Sequence, residues 1–241
     1  AIQQDFSSLV PFAIEEAFEV GACVESDDFD GLVWELGDLL YQIVFYCQIA
    51  EENEMFDMDD VVEKLETKLR ERHPHVFAGE RERSVKQKTA YWNETKRAER
   101  RRKLGEDSSE LDDVPRALPS LTRAQKVQKR ASLVGFDWKS SLGPRAKIDE
   151  ELGELDELLY QGDSADEYKT RCREELGDIL FSVVNLARHL GIDPEYALTN
   201  ATDRFINRFQ ALEALLREDG KVIEEVGSAD LEKVWQVVKK S

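Results

Sequence analysis

Leu32, Leu36, Leu39, Leu40, Ile43, Val44 and Cys47 recur three and four positions apart, and so do Leu176, Ile179, Leu180, Val183 and Leu186. That spacing puts each set on one broad face of an amphipathic helix, and no alternating strand pattern of comparable length accompanies it. The pattern predicts an all-α chain. The charged run from Arg100 to Asp113 leads into Gly105 to Pro119, where Ser108-Ser109, Asp112-Asp113 and two prolines have the composition of a connection. We therefore expect an N-terminal domain over residues 1–104, a linker over 105–120 and a C-terminal domain over 121–241.

Comparing the halves changes the picture, because an internal repeat governs how every motif is read. Glu15-Glu16-x-x-Glu19 recurs as Glu150-Glu151-x-x-Glu154, offset by 135 residues. Glu35-Leu36-Gly37-Asp38-x-Leu40 recurs as Glu175-Leu176-Gly177-Asp178-x-Leu180, offset by 140, so the intervening stretch is five residues longer in the second copy. Lys68-x-x-x-Arg72 then matches Arg204-x-x-x-Arg208, and Trp92-x-x-x-Lys96 matches Trp235-x-x-x-Lys239. Four elements in the same order indicate two homologous domains.

Residues three apart on a helix project from nearly one face, so Glu151 and Glu154 form one acidic pair and Glu175 and Asp178 another. If their helices pack antiparallel, the pairs face each other, and four carboxylates converging beside apolar surface repel unless cations neutralise them. A donor set of hard oxygens without His or Cys favours Mg²⁺, with Mn²⁺ as a substitute, over zinc. In a chain with 35% charged residues an isolated E-x-x-E is ordinarily a solvated helix face. Here the pairs lie in apolar sequence and occur twice, the first copy supplying Glu16, Glu19, Glu35 and Asp38. A di-iron carboxylate bundle would use E-x-x-H, and Asp178 stands where that His would be. A helical regulator, with the repeat serving only dimerisation or partner binding, is the competing reading, and it stays open for the first copy.

Composition narrows the partners. With 41% apolar residues the chain can build a core, and 51 acidic against 33 basic residues give a net charge of -18, which opposes binding along a nucleic-acid backbone. Cys23, Cys47 and Cys172 are odd in number and widely spaced, as reduced, core-packed thiols of a cytoplasmic protein are. No stretch approaches the roughly 18 to 20 apolar residues that a bilayer-crossing helix needs, so no membrane association is expected. His73 and His75 flank Pro74 and read as fixing a turn.

E-x-x-E, a spacer and E-x-x-D resemble the signature of the all-α nucleoside triphosphate pyrophosphohydrolases. The fuller match is to the MazG family. Ser8-Leu9-Val10-Pro11-Phe12, Arg72-His73-Pro74-His75-Val76-Phe77, Leu111-Asp112-Asp113-Val114-Pro115, Lys126-Val127-Gln128-Lys129-Arg130 and Gly135-Phe136-Asp137-Trp138 all look like segments of that family. The resemblance implies two tandem MazG-type helical bundles completed in a homodimer. It implies hydrolysis of NTPs and dNTPs, ATP among them, to a monophosphate and pyrophosphate, in keeping with removal of aberrant nucleotides. Mg²⁺ would be held by Glu151, Glu154, Glu175 and Asp178, with Glu150 or Glu174 as candidate acceptors of the water's proton. Lys147, Arg171, Arg204 and Arg208 would contact phosphates, and Trp235 and Lys239 would close over the nucleotide. Thr202 stands where the family usually has Asn, and Arg204 where Lys is common. Lys147 and Arg171 lie one turn before Glu151 and Glu175, where the first copy has Phe12 and Gly31, so catalysis is expected in the second domain and little or none in the first.

Overall fold

Helix α1 (Phe6–Glu25) begins where Asp5 accepts the Ser8 N–H and the Ser8 hydroxyl accepts the Asp5 N–H, a reciprocal cap for backbone groups that lack helical partners. A short turn with Asp27 at φ 55° reverses the chain, and Asp28 caps α2 (Phe29–Glu52) by accepting the Gly31 N–H at 2.9 Å. Phe6 at the start of α1 stacks on Tyr46 near the end of α2 with ring centroids 6.2 Å apart, so the two helices form an antiparallel hairpin. Helices α3 (Met58–Arg72), α4 (Pro74–Phe77) and α5 (Val85–Leu104) follow. The Tyr91 hydroxyl donates to the Glu71 carbonyl at 3.0 Å and fastens α5 to the end of α3.

The computed structural model describes residues 4–77, 84–161 and 165–240. The His75 side chain falls outside what is described; His73 packs its ring 5.8 Å from that of Trp92. The remaining elements are α6 (Ser120–Leu133), α7 (Leu142–Gln161), α8 (Ala165–Leu190), α9 (Pro194–Glu218), a 3-10 turn (Ile223–Glu225) and α10 (Ser228–Val238). No strand occurs among the described residues, and no helix of theirs is long and apolar enough to cross a membrane. The all-α expectation holds.

The chain divides into two compact units, Ala1–Ala98 and Glu99–Ser241, the division falling within α5. Residues 105–120, expected as a linker, lie in the second unit, with Ser120 already the first residue of α6; there Arg100 pairs with Glu110 and the Arg130 guanidinium donates to the Asp112 carbonyl. In that unit α7 and α8 form the repeat-related hairpin, and α6 packs on α8 and α9. The Gln128 amide donates to the Phe181 carbonyl at 2.7 Å, and Glu195 accepts from the N–H and hydroxyl of Thr122 at 3.0 Å each. α10 folds back on α9 with Trp235 against Phe205, centroids 5.3 Å apart.

Helical periodicity indicates which residues share a face, and the structure adds which faces the single chain covers. Leu9, Cys47, Ile49 and Ala50 are buried in the first unit, and Leu158, Val184, Leu212 and Leu216 in the second. The apolar stripe itself stays open at repeat-related positions: Leu36 and Leu176 are 49% and 50% exposed, and Leu40 and Leu180 are both 57% exposed.

Candidate metal centre

Glu151 and Glu154 project from α7 towards Glu175 on α8, and one carboxylate oxygen from each lies within 4.8 Å of the others. Glu151 is buried, Glu175 half-buried and Glu154 exposed, so the cluster opens to solvent along one edge. Burial raises the Glu175 carboxyl above its ordinary range, and the charges of Glu154, Glu151 and Asp178 and a hydrogen bond with Glu154 push the same way. Asp178 therefore acts on the cluster from the next turn of α8, although it stands outside the closest trio. An all-oxygen set this tight is a fit host for a hard divalent cation, which would relieve the repulsion.

The Lys147 ammonium lies 2.7 Å from carboxylate oxygens of both Glu150 and Glu151, one turn along α7, and its pKa is raised by those two partners. Arg171 is exposed on α8 one turn before Glu175, and Glu150 and Glu174 are exposed beside the carboxylates they adjoin in sequence. Arg204 is exposed and Arg208 half-buried on α9; among the described residues neither forms an ion pair with the four carboxylates. Trp235 is half-buried against Phe205, and Lys239 is exposed at the end of α10.

The first unit brings together the corresponding set. Glu16, Glu35 and Asp38 also place oxygens within 4.8 Å of one another, and Glu19 adds charge and a hydrogen bond that help raise the Glu16 carboxyl, after burial as the main cause. The buried Gln42 amide donates to Glu16 at 3.4 Å. The difference between copies lies in the cations. Phe12 is a half-open aromatic at the position of Lys147. At the position of Arg171, a Cβ on Gly31 would come within 2.4 Å of a carboxylate oxygen of the capping Asp28 and 3.2 Å of the Cys23 sulfur. A cationic side chain there would have to displace the Asp28 carboxylate that caps α2. Farther on, Trp92 has the Arg72 guanidinium and the Lys96 ammonium each 4.9 Å from its ring centre, where its counterpart Trp235 has Phe205.

The segment holding Asp137 stood out in the sequence, but its partners did not. Asp137, in the connection between α6 and α7, pairs with Arg188 and lies 2.9 Å from His189, both in the last turn of α8. These partners stand 51 and 52 residues away, with no spacing pattern to betray them.

Two stretches of the chain, residues 4–77 and 140–213, match the MazG nucleotide pyrophosphohydrolase domain. The chain is 43% identical to a nucleoside triphosphate pyrophosphohydrolase of Escherichia coli (strain K12), covering 99% of this chain and 89% of that protein. It is 40% identical to the nucleoside triphosphate pyrophosphohydrolase/pyrophosphatase MazG of Thermotoga maritima, covering 98% and 87%. It is also 36% identical to the uncharacterized protein YabN of Bacillus subtilis (strain 168), where 99% of this chain spans 47% of the longer protein.

Proposed function

The chain belongs to the MazG family of nucleotide pyrophosphohydrolases, and from that membership we propose that the carboxylate centre on α7 and α8 performs the hydrolysis. Nucleoside triphosphates are its substrates, and water attack at the α-phosphorus releases pyrophosphate and a nucleoside monophosphate. The observation that carries the assignment to this copy is Lys147, a cation 2.7 Å from Glu151, in a position the first copy fills with Phe12.

Glu151, Glu154, Glu175 and Asp178 are the residues that would hold Mg²⁺, or Mn²⁺ in its place. The ion supplies neutralisation of the triphosphate charge and acidification of water. Lys147 offers a compact ammonium on a flexible stem, able to bridge the acidic cluster and a phosphate oxygen. Arg171 extends the same cationic edge from α8. Arg204 and Arg208 offer guanidinium forks from α9 for the outer phosphates, and Trp235 with Lys239 closes over the nucleotide. Glu150 or Glu174 takes the proton of the attacking water. Family membership is what supports broad use of NTPs and dNTPs and a house-cleaning role in the nucleotide pool. The open apolar stripes on α2 and α8 support a homodimer.

The test is a matched pair of variants. Glu175→Gln removes one ligand charge with little change of shape, and pyrophosphate release with excess Mg²⁺ is expected to fall at least ~100-fold, as for loss of a group stabilising transition-state charge. Glu35→Gln is expected to leave turnover within a few-fold, with circular dichroism confirming that both variants fold. Loss of hydrolysis in Glu35→Gln with tolerance in Glu175→Gln would move the active site to the first unit. Full activity in both would refute the carboxylate mechanism.

A further inference from the structure

Asp137 stands outside the carboxylate cluster, yet it joins three segments of the second unit. Its carboxylate accepts from both terminal nitrogens of Arg188, one at 3.0 Å, and lies 2.9 Å from Nε2 of His189. It also accepts the Trp138 backbone N–H at 2.9 Å. Arg188 in turn donates through Nε to the buried Asn185 at 2.9 Å, so the guanidinium is held on both edges. Trp138 completes the link on the other side. Its ring lies where a Cβ on Gly143 would come within 2.4 Å of ring carbons, so it closes directly on the first turn of α7.

The connection before α7 is thereby fastened to the start of α7 and to the end of α8. Both points lie at the end of the hairpin opposite the Gln161–Ala165 connection. The carboxylates sit midway. Glu151 is nine residues from Leu142 and Asp178 ten from Arg188, about 14 Å and 15 Å along their helices. A slip of one residue between α7 and α8 would move one pair against the other by about 1.5 Å, whereas metal–ligand distances tolerate only about 0.2 Å. Apolar packing is non-directional, and Leu176 and Leu180 on this stretch of α8 are open. A forked guanidinium–carboxylate pair does fix direction and register.

We propose that Asp137 is a positioning residue for the hydrolytic centre: its pairing with Arg188 and His189 sets the register of α7 against α8, and with it the spacing of Glu151 and Glu154 from Glu175 and Asp178. The inference rests on the reading of that centre as hydrolytic. It is tested on the full chain with Asp137→Asn, Asp137→Glu and Arg188→Lys. Mn²⁺ affinity without nucleotide is read by calorimetry, kcat and KM by pyrophosphate release, and folding by circular dichroism. Asp137→Asn is expected to weaken Mn²⁺ binding about 10-fold and to lower kcat similarly, in the lower part of the range for groups that orient metal ligands. Asp137→Glu is expected to recover most of both. Arg188→Lys, which keeps the charge and loses the fork, should share the defect, and it decides the matter if Asp137→Asn does not fold. Unchanged Mn²⁺ affinity and kcat per folded chain, with or without a lower melting temperature, would overturn the proposal. Absence of pyrophosphate release from the unaltered protein would refute the hydrolytic reading instead, and the Mn²⁺ titration would still decide whether Asp137 positions the carboxylates.

Discussion

Asp137 shows how a single carboxylate outside the chemistry carries a measurable signature. Hydrogen bonding from Arg188 holds its carboxyl below the ordinary aspartate range, helped by His189 and opposed by partial burial. Because the folded state lowers this pKa, its contribution to stability is complete above the unfolded-state value of about 3.9 and is lost as pH falls through the lower folded value. Asp137→Asn has no such titration. The gap in urea midpoint between the native chain and this variant should therefore narrow steadily from pH 5 to pH 2, while a constant gap would show that the charge contributes nothing. The clustering of the carboxylates was legible in the sequence, since a three-residue spacing dictates a shared helix face whatever the tertiary structure, although Asp178 and Glu19 stand outside the closest trios. The pairing of Asp137 was not, because an ion pair closed across half a domain leaves no periodic trace. The two tryptophans of the repeat lie between these cases: their equivalence was readable, but Phe205 beside one and Arg72 with Lys96 beside the other depend on packing.

At the level of elements, the repeat was legible in order and in kind, and its helices form where the apolar period placed them. Their starts were not. α8 begins ten residues before Glu175, whereas α2 begins six before Glu35, so the longer second copy carries its helix past the position of Arg171. In the first copy that position falls inside the capping turn, and Asp28 rather than a cation occupies the space. A side chain at Gly31 would therefore compete with the Asp28 cap for that space. Replacing it with Arg, to imitate the second copy, should dislodge the Asp28 cap and destabilise the protein by about 1 kcal/mol, the usual cost of losing such a cap. Denaturant unfolding monitored by circular dichroism measures this directly. An unchanged midpoint would mean that the cap adapts freely, removing the physical reason for a missing cation in the first copy.

For the molecule as a whole, the open stripes of the two hairpins are the least explained surface. Sequence periodicity placed their residues on shared helix faces, and part of each face stays exposed in the structure. Leu40 and Leu180, equivalent in the repeat, are exposed to the same degree, as are Leu36 and Leu176. Both copies thus present the same uncovered face, flanked in the first unit by Trp34 at 76% exposure. Monomeric soluble proteins rarely keep contiguous apolar areas of this kind open. A second copy of the chain, presenting the same stripes through an isologous contact, is an economical cover. Each of these half-covered leucines gains about 1 kcal/mol on full burial, and a charge placed there would also have to be desolvated, so introducing charge at two of them should weigh heavily on association. Light scattering at micromolar concentration should give twice the chain mass for the native protein, and a mass shifted towards that of one chain for Leu40→Glu combined with Leu180→Glu, provided the helical circular dichroism signal is kept. A native protein that runs as a monomer would reject the dimer. A variant that stays dimeric would place the contact on another face and leave the repeated stripes without their cover.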